Sequence, residues 1–65
     1  MNHEKAKDCY EKAIEIMPDS ADVHNNLGTI FNTLGKYQKA KSCYEKAIEI
    51  NPEYADAHYN LGTIF

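Results

Sequence analysis

Arginine and tryptophan are absent from this 65-residue chain, and proline and cysteine occur only twice each. All seven basic residues are therefore lysines, set against ten acidic residues for a formal charge of -3, with no run of like charge longer than two. A phosphate-binding surface favours clustered cations on one face and the bidentate fork of arginine. Nucleic-acid binding is disfavoured on both counts. No apolar stretch reaches the roughly 18 residues of a membrane span, and no charged-then-apolar leader opens the chain. The expected setting is intracellular. Cys9 and Cys43 have no CxxC spacing, so a zinc or redox site has no basis. Glycine-rich phosphate loops, nucleophile elbows and paired acids are missing as well. We expect no enzyme activity, no cofactor and no metal.

What is present argues for a folded module. Hydrophobic residues make up 43% of the chain, with five tyrosines and two phenylalanines, whereas disorder goes with fewer aromatics and a larger net charge. A domain of this size buries only about 60% of its unfolded surface, so its stability margin is thin. The dominant signal is internal repetition. CYEKAIEI at residues 9–16 recurs at 43–50, and LGTIF at 27–31 recurs at 61–65, both displaced by 34 residues (43 minus 9, 61 minus 27). Repetition at a period of this length marks an array of one supersecondary unit. The complete unit is 21–54, flanked by partial copies at 1–20 and 55–65.

Periodicity makes the units helical. Ala6, Tyr10, Ala13, Ile14 and Met17 fall on one helical face, and Pro18 ends that helix by pushing the preceding residue out of the helical region. Asp19 and Ser20 are N-cap candidates for a second helix, and Asp22 adds a charge that the helix dipole favours. Its apolar face is Val23, Leu27, Ile30, Phe31 and Leu34, and Gly35 suits a left-handed C-terminal cap. A third helix with Tyr37, Ala40, Tyr44, Ala47 and Ile48 inward closes at Asn51 and Pro52. Asn51 is alternatively the cap of the fourth helix, with Pro52 at its first position. The expected helices are 3–17, 21–34, 37–50 and 54–65, with Leu27, Phe31, Tyr44 and Ile48 as the main core.

Leu27, Gly28, Phe31, Ala40, Tyr44, Ala47 and Pro52, with Tyr37 at a further aromatic site, fall where the tetratricopeptide repeat family places its signature residues. Unit 21–54 therefore resembles that family, and the resemblance covers the whole chain. It implies an all-α fold of four helices, in antiparallel pairs stacked as a right-handed superhelical solenoid fragment. His24 and His58 stand where the family usually has a large side chain, and Lys7 and Lys41 where an aliphatic is common. Histidine there, followed by asparagine two residues later and then Leu-Gly, is similar to repeats of the O-linked N-acetylglucosamine transferase type.

In this family the first helix of each pair lines a concave groove for an extended peptide, which implies a non-catalytic protein-interaction scaffold. By position the groove residues are Asp22, Asn25, Asn26, Thr29, Asn32 and Thr33, then Asp56, Tyr59, Asn60 and Thr63. Asn26 and Asn60 are the sharpest candidates, because a side-chain amide both donates to and accepts from a peptide backbone. Asp22 and Asp56 stand where a carboxylate clamp would need cations, so a neutral or basic segment suits the groove better. His24 and His58 have no companion ligand at metal spacing and read as packed helix-pair histidines. Cys9 and Cys43 occupy equivalent positions, and neighbouring helix axes lie about 8–10 Å apart. A disulfide needs Cα atoms within about 7 Å, so both thiols are expected to be free.

The 65 residues fall short of two full units by the equivalents of Asn32, Thr33 and Leu34. The outer helices are then complementary halves, with Leu61, Ile64 and Phe65 exposed on one and Ala6, Tyr10 and Ala13 on the other. Head-to-tail association into a homo-oligomer through these surfaces, with a swapped or two-fold dimer as its alternative, is the second functional expectation.

Overall fold

A computed structural model describes residues 3–64, His3 by its backbone alone. Four helices follow in order: α1 (His3–Ile16), α2 (Ala21–Thr33), α3 (Tyr37–Ile50) and α4 (Ala55–Ile64), with no strand among the described residues. The expected all-α class and four helices stand, each boundary within two residues. The layout is a packed ribbon in which α2 lies against α1, α3 and α4, and α3 lies against α4.

The turns follow from particular residues. Ser20 adopts an extended conformation and its Oγ accepts the Val23 amide, which caps α2. At the other end of α2, Gly35 takes φ +79°. That residue lets the Lys36 amide reach the Phe31 carbonyl and the Gly35 amide reach that of Asn32. This is the paired bonding of a Schellman turn, and a left-handed φ is what glycine supplies without strain. The chain can reverse within residues 34–36.

The second inter-pair turn corrects one expectation. Asn51 closes α3, its amide bonding the Ala47 carbonyl, and its Oδ1 accepts the Glu53 amide. Tyr54 supplies the carbonyl to which the His58 amide bonds, the role Ser20 plays for His24. Asn51 does not cap α4, because three residues of turn separate it from the helix.

The core is Leu27, Phe31, Ala40 and Tyr44, with Tyr10, Ile14, Cys43, Leu61 and Ile64 packed around it. Fully burying each large member is worth about 1.5–3 kcal/mol. Ala47 and Ala57 are also sealed, and Ile30 is buried on α2. Ile48, expected as a main core residue, is only half-buried. Tyr37, expected inward, is 57% exposed. It is the first residue of α3, directly after the Gly35 turn.

One contact sets the closeness of α2 and α3. A Cβ built on Gly28 would lie 2.7 Å from Tyr44 Cε1 and 2.9 Å from its Cδ1. The Tyr44 ring therefore rests on bare backbone. Its hydroxyl meets Thr29 Oγ1 at 3.1 Å, while Thr29 donates its own proton to the Asn25 carbonyl. Tyr44 is thus the donor in that pair, and its buried hydroxyl is satisfied.

Candidate functional site

α2 and α4 meet through an amide pair: Asn60 Nδ2 donates to Asn25 Oδ1 at 3.0 Å. Asn25 is buried and Asn60 half-buried. This corrects the expectation for Asn25, which is turned into the α2/α4 contact rather than out to a ligand. The reason lies in its repeat position. Its counterpart in the next unit is Tyr59, which is 74% exposed.

The other expected groove residues divide by what their polar atoms already do. Asp22, Asn26, Thr29, Thr33, Asp56, Tyr59 and Thr63 are exposed, and Asn32 is half-buried. The threonines are committed inward, Thr33 Oγ1 to the Thr29 carbonyl and Thr63 Oγ1 to that of Asn60. Such back-bonding to the preceding turn leaves little donor capacity for a partner. Asn26, by contrast, presents its amide to solvent. The exposed polar groups with most capacity left are Asn26, Asp56 and the rim of Tyr59.

Electrostatics sharpen the picture. The lysines stand at 5, 7, 12, 36, 39, 41 and 46, so α2 and α4 carry none. Lys12 pairs with Glu15 and Lys46 with Glu49, both on exposed surfaces of the other two helices. Pairs of this kind contribute about 0–1 kcal/mol. They keep Lys12 and Lys46 partnered on their own helices, while Lys39 of α3 lies over the Phe31 ring of α2, 5.5 Å from its centroid. The first-helix surfaces are left acidic and amide-rich.

One residue of this region was not legible as a site residue. The Tyr54 hydroxyl donates to Asp22 Oδ1 across 32 positions. That hydrogen bond, aided by burial and by the Asp22 and Asp56 charges, pushes the Tyr54 phenol up to about 12. The available signal was tyrosine standing where the preceding unit has the cap residue Ser20.

The histidines are structural. His24 Nε2 bonds the Pro18 carbonyl at 2.9 Å and His58 Nε2 that of Pro52 at 2.8 Å. Both cysteines are free, Cys9 exposed and Cys43 partly buried. Burial, then the Glu11 charge, pushes the Cys43 thiol up to about 11, which makes it a poor nucleophile. Among the described residues no group of three or more histidine, cysteine or acidic side chains could hold a metal ion, and no helix is long and apolar enough to cross a membrane.

The expected association residues are more covered than their positions suggested. Ala6, Tyr10, Ala13, Leu61 and Ile64 are all half-buried, and Tyr10, Leu61 and Ile64 touch the core. Phe65 lies outside the described residues.

Two helices of one unit reversing on a glycine turn, with copies of that unit packed alongside, define a helical-repeat module. The family model for the tetratricopeptide repeat matches residues 21–54, and a second TPR-repeat model matches residues 2–35. The chain belongs to the tetratricopeptide repeat family. No curated protein matches it. Repeats of this family in general mediate protein–protein interaction and are typically non-catalytic.

Proposed function

We propose that the module is a non-catalytic scaffold holding an extended, neutral or basic segment of a partner protein on the surface shared by α2 and α4. The observation that carries this is the Asn60–Asn25 bond, which ties the two first helices side by side. Asn26 and Asn60 stand at equivalent repeat positions, so a partner backbone crossing both helices meets an amide at each. Asp22 and Asp56, without a lysine on either helix, favour a cationic over an anionic segment.

The test is an NMR titration with capped ten-residue peptides of neutral, basic and acidic composition. Neutral or basic peptides should shift the amides of α2 and α4, and the acidic one should not. Asn26→Ala should weaken binding about two- to tenfold, the effect of losing one ordinary hydrogen bond. Saturable shifts confined to α1 and α3 would overturn the reading.

Head-to-tail association of the module with itself is a second reading, favoured by the partial exposure of Tyr10, Leu61 and Ile64. Light scattering from dilute to millimolar protein separates it from the first. A mass that stays at one chain throughout excludes it.

A further inference from the structure

The two inter-pair turns enclose a cleft that the shared face of α2 and α4 does not account for. Its volume is about 600 Å³, and its lining includes Met17, Pro18, Asp19, Asp22, Ile50 and Tyr54. It is a shallow cleft, open to solvent on one side. The walls mix apolar and polar surface: Met17 is 59% exposed, Ile50 and Tyr54 are half-buried, and Ser20 and Asn51 stand among them. Asp19 and Asp22 are exposed at its edge.

Neither carboxylate forms an ion pair among the described residues. No lysine occurs from residue 13 to 35 or from 47 to 65. The flanking cations Lys12 and Lys46 are each held by an acid one turn along their own helix. Asp22 is oriented by the Tyr54 hydroxyl on one oxygen, which leaves its second oxygen for another donor. The cleft therefore combines an aromatic ring, aliphatic wall surface and two carboxylates without a cation.

We propose that this cleft is a second binding site, one that takes an arginine side chain from a partner protein's segment. A guanidinium is charged at every physiological pH, stacks flat on an aromatic ring and gives parallel donors to a carboxylate. Its aliphatic stem covers apolar surface while the head stays at the polar edge, here Met17 and Ile50 below Asp19 and Asp22. Lysine fits less well, because its compact ammonium is more strongly hydrated and cannot stack. These 65 residues contain no arginine, so the occupant comes from outside them.

The experiment is an NMR titration of the full chain with the capped peptide Gly-Gly-Arg-Gly-Gly, and with lysine or glutamine at its centre. The arginine peptide should give saturable shifts at Asp19, Asp22 and Tyr54, tighter than lysine, with none from glutamine. Asp19→Asn and Asp22→Asn, both outside the core, should each weaken binding about two- to fivefold, as expected for exposed charge contacts. Asn60→Ala should leave it unchanged, which keeps this result independent of the α2/α4 surface. Equal shifts from arginine and glutamine, or full binding by Asp19→Asn, would overturn the proposal.

Discussion

His24 and Pro18 are joined by a hydrogen bond six residues long in sequence: the ring Nε2 donates to the proline carbonyl at 2.9 Å. His58 and Pro52 repeat the arrangement one unit later. A carbonyl can only accept, so each ring carries its proton on Nε2. The bond ties the turn that ends one helix pair to the first turns of the next.

The two histidines differ in burial, and their substitutions should differ accordingly. His24 is buried, whereas His58 is exposed. His24→Ala should cost about 1–3 kcal/mol, combining a lost bond with lost packing. His58→Ala should cost less than about 1 kcal/mol. Thermal unfolding of both variants checks this, and equal shifts in Tm would show that burial does not set the value of the bond.

Gly28 and Gly62 occupy the same repeat position but meet different surroundings. A methyl at Gly28 runs into the Tyr44 ring and lies 3.1 Å from Cys43 Cβ, while nothing lies within 4 Å of one at Gly62. Gly28→Ala should therefore destabilise by about 1–3 kcal/mol through overpacking. Gly62→Ala should stabilise, by up to about 1 kcal/mol, because alanine is the better helix former. Opposite signs from urea unfolding are the expected outcome, and a stabilising Gly28→Ala would refute the close approach.

Tyr54 should make stability depend on alkaline pH. In the unfolded chain its phenol ionises near 10, while in the fold it keeps its proton to about 12. The folded state thus favours the protonated form, and that contribution is complete below pH 10 and lost as pH rises through 12. Tyr54→Phe should remove this loss and, at neutral pH, cost up to about 1 kcal/mol for the exposed hydrogen bond. Tyrosinate absorbance resolves it: an ionisation step near pH 12 should be present in the parent chain and missing from Tyr54→Phe. A late step that persists in Tyr54→Phe would assign it elsewhere.

The sequence by itself determined the repeat unit, the four helices and most of the core. A 34-residue displacement and a helical period are properties of one line of residues, and so are the capping roles of Ser20 and Gly35. Leu27, Phe31 and Tyr44 were legible for the same reason, since each falls on an apolar helical face. Tertiary structure alone decided what depends on a neighbour. Asn25 and Asn26 look interchangeable in sequence, yet one is buried against Asn60 and the other faces water. Tyr37 and Tyr44 both belong to the apolar stripe of α3. Only Tyr44 has a bare glycine beneath it and Thr29 beside its hydroxyl. The Tyr54–Asp22 bond and the cleft at the two turns were hidden because they join residues at opposite ends of the unit, 32 positions apart. Periodicity places a side chain on a face of its own helix, but which partner that face meets is fixed only when the helices pack.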